Sequence, residues 1–169
     1  MSGEALLERL RGVRLLSLDV DGVLTDGGLY YTDEGITLRR FNVKDGMGIK
    51  LLQRHTDVQV AIVSAGKNDA IAHRGRDLGI EHVRFRVADK LSALTDICAG
   101  LGLTLAQAAH VGDDVNDVPL MHAVGCPMTM ADALDPAKAA ALYVTAKGGG
   151  QGGVREICDL ILASRGVTV

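Results

Sequence analysis

Two carboxylates one residue apart, Asp19 and Asp21, close the apolar run Val13-Arg14-Leu15-Leu16-Ser17-Leu18 and lead into Gly22-Val23-Leu24-Thr25-Asp26-Gly27. A short apolar run bounded by glycine reads as a buried strand, and in a parallel sheet ligands gather at the carboxyl ends of strands. Alternate residues of a strand share a face, so an Asp-x-Asp pair at the exit can aim both side chains into one pocket. Hard oxygen ligands of this kind suit Mg²⁺, and one of the pair can instead handle protons. The same residues also supply ordinary turn chemistry, with Asp and Gly making the bend. Three later stretches bear on the choice.

The first is Val60-Ala61-Ile62-Val63-Ser64-Ala65-Gly66-Lys67, an apolar run ending in a small hydroxyl, a glycine and a base. A hydroxyl and exposed N–H groups at a strand-to-helix turn make an anion cradle, although Ser64 taken alone is better read as a helix cap. The second is Ala88-Asp89-Lys90, where a lysine opens a helix against the positive end of its macrodipole. A phosphate would offset that repulsion and place Lys90 for a ligand rather than for the core. An isolated lysine is more often a solvated surface residue. The third is His110-Val111-Gly112-Asp113-Asp114-Val115-Asn116-Asp117. Helix N-termini attract acids, which accounts for Asp117 and Asp114 but not for three acids and an asparagine gathered after an apolar strand. A second acidic group at the carboxyl end of that strand can complete a Mg²⁺ site with the first pair.

The elements that must position these residues follow from periodicity. Two β-prone runs flank Asp33-Glu34-Gly35, a hairpin signal over about 28–42. An isolated hairpin is marginal unless something packs on it, so an oligomer contact is expected there. A helical pattern from Asp45 precedes a strand over 58–63, then a helix over 68–78 stops at Gly79. Further strands are predicted over 82–85, 108–111, 127–130 and 143–145, with helices over 90–101, 115–124, 136–142 and 154–164. This alternation indicates βαβ crossovers and a parallel sheet covered on both faces. The Gly-rich stretch Lys147-Gly148-Gly149-Gly150-Gln151-Gly152-Gly153 suits a mobile linker, a close backbone approach to an anion, or both, and sequence alone favours the linker.

At 169 residues and 47% hydrophobic, the chain can bury a core as one domain. Only 3% is aromatic, there is no Trp and the net charge is −3, which argues against a nucleic-acid partner. Cys98, Cys126 and Cys158 are odd in number and form no Cys-x-x-Cys pair, which disfavours disulfides and zinc and points to a reducing compartment. The start of the chain lacks the apolar core of a signal peptide, and no segment approaches the roughly 20 apolar residues of a membrane span. A cytoplasmic protein without a membrane partner is expected. The five histidines share no ligand spacing and read as surface or packing residues.

Together, Asp19-Val20-Asp21-Gly22-Val23-Leu24-Thr25-Asp26-Gly27, Ser64, Lys90 and Gly112-Asp113-Asp114-Val115-Asn116-Asp117 stand in the order of the four motifs of haloacid dehalogenase-like (HAD) phosphatases, which the chain resembles. Phe41-Asn42-Val43-Lys44-Asp45-Gly46 and Gly152-Gly153-Val154-Arg155-Glu156 make it more closely similar to the capless 3-deoxy-D-manno-octulosonate 8-phosphate phosphatases, over nearly its whole length. The resemblance implies a single α/β domain over residues 1–169, a Rossmann-like parallel sheet with helices on both faces, and a hairpin insertion after the first strand but no cap domain. It also implies a homotetramer whose hairpins build a central barrel and whose C-terminal tails, over about 147–165, help close neighbouring sites.

By the same resemblance, Asp19 is a nucleophile and Asp21 the proton carrier, while Ser64 and Lys90 hold phosphoryl oxygens. Mg²⁺ would take the Asp19 carboxylate, the Asp21 carbonyl and Asp113, supported by Asp114 and Asp117. Phe41, Asn42, Val43, Lys44, Asp45 and Asn116 would meet the sugar, with residues 149–151 arriving from a neighbour. Two positions depart from the close family: Ser64-Ala65-Gly66 stands for Thr-Gly-Arg, and Gly149-Gly150-Gln151-Gly152 for Gly-Gly-Arg-Gly. Lys67 is a candidate stand-in for the first arginine, and Gln151 replaces the second. The substrate the resemblance implies is thus an acidic sugar phosphate, first of all 3-deoxy-D-manno-octulosonate 8-phosphate, with a sialic-acid-like 9-phosphate or another sugar phosphate as the alternative. A catalytically idle oligomerisation module, like the resembling domain of animal sialic-acid cytidylyltransferases, is disfavoured because all four motifs are present.

Overall fold

Leu15 and Leu16, neighbours on strand β1 (Leu15–Leu18), enter two different cores, and that alternation organises the molecule. The computed structural model describes residues 3–168. Helix α1 (Gly3–Gly12) precedes β1, and a two-stranded antiparallel hairpin, β2 (Tyr30–Tyr31) and β3 (Thr37–Leu38), follows it. Next come α2 (Val43–His55), β4 (Gln59–Val63), α3 (Ala70–Leu78), β5 (His82–Arg84) and α4 (Lys90–Gly100). A 3₁₀ turn (Leu105–Gln107) leads to β6 (Ala108–Val111), α5 (Val118–Ala123), β7 (Cys126–Thr129), α6 (Asp135–Ala140), β8 (Tyr143–Val144) and α7 (Gly153–Ser164).

Six strands form one parallel sheet in the order β5-β4-β1-β6-β7-β8. One face carries Leu16, Leu18, Val60, Ile62, Ala109 and Val111, which pack with Leu10 of α1, Ile49 and Leu52 of α2, Ile71 of α3 and Ile157 and Ile161 of α7. The other carries Leu15, Ala61, Val63 and Ala108 against Leu94 and Ile97 of α4 and Leu120 of α5. Each fully buried Leu or Ile contributes about 1.5–3 kcal/mol, so the strands are clamped from both sides. The expected Rossmann-like sheet with helices on both faces is what the chain forms. No helix among the described residues is long and apolar enough to cross a membrane.

Three local expectations change. Helix α5 starts at Val118 rather than 115, because Asp114 to Asp117 form a turn in which the Asp117 N–H donates to the Asp114 carbonyl at 3.0 Å. Pro119 fits only the first turn of the helix that follows. The hairpin has two paired residues per strand, Tyr30 opposite Leu38 and Tyr31 opposite Thr37, and Phe41 beyond it bridges back to Thr25. The Gly-rich stretch is no loose linker. Gly150 N–H donates to the Val23 carbonyl at 3.0 Å and Gly149 N–H to Asp132 Oδ1 at 2.9 Å. A Cβ on Gly149 would overlap the Gly22 carbonyl oxygen, so only glycine lets this strap lie so close to the acidic turn.

Candidate active site

The sheet order reverses at β1, whose partners β4 and β6 lead outward in opposite directions, and at such a point strand ends open a crevice. Asp19 follows β1, Ser64 follows β4, and Asp113 follows Gly112 after β6. They meet in a pocket of about 240 Å³ whose walls carry Asp19, Asp21, Ser64, Asp113, Asp114 and Asn116, with Gly22, Gly27 and Gly66 between them. Gly22 holds φ +81°, and a Cβ there would collide with the Asp113 carboxylate, so this glycine lets the two acidic loops touch.

Behind the pocket lies a buried charge cluster. Lys90, 4% exposed, donates from Nζ to Asp19 Oδ2 at 2.8 Å and to Asp117 Oδ1 at 2.6 Å. The helix that presents it is capped by Asp89, whose side chain accepts the Ser92 N–H at 3.0 Å. Burial by itself would lower the Lys90 pKa, but Asp19 and Asp117 more than offset it and hold the ammonium above the ordinary lysine range. Burial raises the Asp19 pKa, partly countered by Lys90. Asp117 is also pushed up by burial, yet His110 and Lys90 bring it below the usual carboxylate range. His110 Nε2 donates to Asp117 Oδ1 at 2.9 Å, and its Nδ1 lies 3.1 Å from Ser17 Oγ. Lys90 is thus part of the interior, which corrects the expectation that it is placed for a ligand alone.

Asp19, Asp113 and Asp117 each offer an oxygen within 4.8 Å of the others, a donor set suited to a hard divalent cation. Asp113 is the least satisfied: no hydrogen bond among the described residues reaches its carboxylate oxygens. Burial, reinforced by Asp19, Asp117 and Asp114, pushes its pKa up to about 7. Among the described residues nothing donates to the Asp21 carbonyl either. Asp117 is more committed, with Oδ1 shared by Lys90 and His110 and Oδ2 accepting the Asp113 N–H at 3.3 Å. These residues fit a metal ion, with Asp117 bracing those that would hold it.

Asp21 faces the pocket and is gripped from the hairpin. Arg39, just past β3, donates to its two oxygens from Nε at 2.6 Å and Nη2 at 3.0 Å. Ser64 is 1% exposed, and its Oγ accepts the Gly66 N–H at 3.1 Å.

The residues expected to meet the sugar are less gathered. Asn116 lines the pocket and Asp114 sits beside it. Phe41 packs on the core and under the Arg74 guanidinium, 5.5 Å from its ring centroid. Asn42 caps α2 by accepting the Lys44 N–H at 2.8 Å, and its amide donates to the Gly150 carbonyl at 3.0 Å. Val43, Lys44, Lys67 and Gln151 are exposed and form no part of the pocket wall. Asp45 is buried and accepts the Arg155 N–H at 2.9 Å, which makes it a cap for α7 rather than a residue open to a ligand. Gly149 and Gly150 are seated on this chain's own acidic turn, which corrects the expectation that they come from a neighbour.

Two residues escaped sequence reasoning. His110, read as a packing residue, braces Asp117; its signal was a lone imidazole in an apolar strand at the register of Ser17. Arg39 carried no local signal, because its partner lies 18 residues earlier.

A family model for haloacid dehalogenase-like hydrolases matches residues 80–157. The 3-deoxy-D-manno-octulosonate 8-phosphate phosphatase KdsC of Escherichia coli (strain K12) is 40% identical over 161 residues, covering 95% of this chain and 85% of that protein. The crystal structure of the phosphatase of that name from Moraxella catarrhalis, in complex with a magnesium ion, a phosphate ion and a KDO molecule, aligns with a TM-score of 0.93 at 32% identity. That alignment covers 96% of this chain and 93% of the other. A cobalt-bound deoxy-D-mannose-octulosonate 8-phosphate phosphatase from Haemophilus influenzae aligns with a TM-score of 0.89 at 38% identity, over 94% and 92% of the two chains.

Proposed function

This chain belongs to the 3-deoxy-D-manno-octulosonate 8-phosphate phosphatase family of haloacid dehalogenase-like hydrolases, and from that premise we propose that it is a Mg²⁺-dependent phosphomonoesterase acting on 3-deoxy-D-manno-octulosonate 8-phosphate. Asp19 attacks phosphorus in line, forming an aspartyl-phosphate as the bond from phosphorus to the sugar oxygen breaks. Asp21 gives the leaving alkoxide its proton and then takes one from the hydrolytic water. Ser64 and Lys90 hold phosphoryl oxygens and stabilise the charge that develops there. Asp19, the Asp21 carbonyl and Asp113 would hold the Mg²⁺, with Asp114 beside them, and the ion supplies further charge stabilisation at the phosphoryl group.

The observation that carries this reading is the convergence of Asp19, Asp21, Ser64 and Asp113 on one pocket with Lys90 bonded to Asp19 from behind. Phosphate release is to be measured for 3-deoxy-D-manno-octulosonate 8-phosphate, a sialic-acid-like 9-phosphate, a neutral sugar phosphate and 4-nitrophenyl phosphate. The octulosonate is expected to give the highest kcat/KM, with turnover lost on chelation and restored by Mg²⁺. A higher kcat/KM for the 9-phosphate would replace the substrate; no turnover of any of the four would favour the idle module.

A homotetramer is part of the reading. The pocket of about 240 Å³ is smaller than the roughly 300–1,000 Å³ of most small-molecule sites, so a sugar would project from it. The hairpin exposes Leu29, Tyr30, Tyr31, Ile36 and Leu38, an apolar surface suited to a second copy that would cover the sugar. Sedimentation tests this directly, with a monomer as the result against it. The three cysteines are free and buried, which supports a reducing, cytoplasmic setting.

A further inference from the structure

We propose that Arg39 selects for an acidic substrate: its guanidinium clamps the carboxylate of the phosphorylated sugar acid, and Asp21 holds that guanidinium ready in the ligand-free enzyme. The inference rests on the sugar-acid reading above and names the residue that carries the choice.

The pocket wall is one-sided in charge. It presents Asp19, Asp21, Asp113 and Asp114, and no cationic side chain lines it. The Lys90 ammonium is committed to Asp19 and Asp117. A phosphorylated sugar acid brings a second anion besides its phosphate, and that anion would face carboxylates unless a cation were delivered from elsewhere. Among the described residues, Arg39 carries the only guanidinium that bonds to a residue of the wall.

The state of Arg39 is that of a donor held for a ligand. Its side chain is only 6% exposed although β2 and β3 beside it are open to solvent. Two of its nitrogens form a fork on Asp21, while Nη1 is buried with no partner. Planar bidentate recognition of a carboxylate is what a guanidinium does best, and Asp21 supplies that geometry in place of the substrate. Gly66 leaves the space open on the same side: a Cβ there would come within 3.0 Å of Asp21 Oδ2. When a substrate carboxylate takes the fork, Asp21 is released to move protons, so recognition of the acid and release of the proton carrier become one event. A substrate lacking the carboxylate has to break the Arg39–Asp21 pair without replacing it.

The test uses the full chain with Mg²⁺, as wild type, Arg39→Ala and Arg39→Lys. The substrates are 3-deoxy-D-manno-octulosonate 8-phosphate, 6-phosphogluconate and neutral glucose 6-phosphate. The quantity read is the ratio of kcat/KM for the better acid to that for glucose 6-phosphate. Arg39→Ala is expected to lower this ratio at least tenfold, mainly through the KM of the acid, and Arg39→Lys to lower it less, since it keeps charge but not the fork. An unchanged ratio overturns the proposal. So does an equal fall for both substrate classes, the mark of a residue that merely orients Asp21. If 6-phosphogluconate outperforms the octulosonate and the ratio still collapses in Arg39→Ala, the substrate assignment fails and the role of Arg39 stands. A wild type with no preference for acids over glucose 6-phosphate overturns both. Should Arg39→Ala not fold, Arg39→Lys and Arg39→Gln decide by the same ratio.

Discussion

The strand-end cluster and the hairpin surround the same pocket but are built by opposite means. Asp19, Lys90 and the pair His110 and Asp117 come from three parts of the chain, are buried, and hold one another through charge-assisted hydrogen bonds. The hairpin is local, pairs two residues per strand, and leaves Tyr31 67% exposed. A cluster of that kind tolerates little change, because removing one member strands a buried charge. The hairpin has more freedom to vary, so on the proposed reading bond cleavage is tied to the cluster and substrate choice to the periphery.

The largest expected effect is at Asp19, the proposed nucleophile. Asp19→Asn should keep the fold and lower turnover of 4-nitrophenyl phosphate by at least about four powers of ten, or roughly 5.5 kcal/mol of barrier. Near-normal turnover in a verified, folded mutant would break the separation of roles at its centre.

Lys90→Met comes next, and it should cost stability as well as rate. Removing one partner of a buried pair destabilises by roughly 3–5 kcal/mol, here by leaving Asp19 and Asp117 facing each other. Chemical denaturation should show that loss, with vanadate inhibition weakened in parallel. A fold of wild-type stability would mean the cluster is not cross-braced as described.

The third effect is graded by pH. In the metal-free protein burial and the neighbouring Asp19, Asp117 and Asp114 push the Asp113 pKa up to about 7 from the ordinary 3.8, so between those values the folded state holds a proton that the unfolded chain has lost. The contribution of this group to stability is therefore present below about 3.8 and falls away as the pH rises toward about 7. Mg²⁺ competes with the same proton. Its affinity, measured by calorimetry, should rise by up to tenfold per pH unit below about 7 and level off above. A flat profile across that range would remove Asp113 from the metal site.

The smallest effect sharpens the peripheral half of the contrast. Gln151 is exposed and does not line the pocket, so Gln151→Arg should shift the preference for the octulosonate over other sugar phosphates by less than about tenfold, below the roughly 1.5–3 kcal/mol of one charge-assisted contact. A larger shift would show that this position governs specificity after all.

How far each half could be read from the sequence follows from the same contrast. Asp19, Ser64 and Asp113 each sit just past an apolar strand, and a parallel sheet with a reversal in strand order must bring such ends together. Spacing within one short segment was enough to mark Asp19 and the acids after Gly112, whereas Ser64 alone read as a helix cap and drew its role from the order of the four motifs. Lys90 was found by its place at a helix start, but its burial depended on Asp117, 27 residues away. Arg39 and Gly149 were illegible for a related reason: what they do is defined by Asp21 and Gly22, on segments that no local pattern connects to theirs. Asp45 shows the converse, since its neighbourhood resembles that of a ligand-binding stretch while its carboxylate is spent on the start of α7.

The glycine strap over residues 148–152 sets an order of assembly in time. β1 leaves the ribosome well before this strap, yet the turn after it is buttressed by Gly149 and Gly150, which are made after every strand of the sheet. A nascent chain that has not yet reached the strap therefore carries Asp19, the proposed nucleophile, ahead of a turn that lacks this support. Fragments that end before the strap are therefore expected to hydrolyse phosphate esters poorly, even where they carry every strand end that lines the pocket.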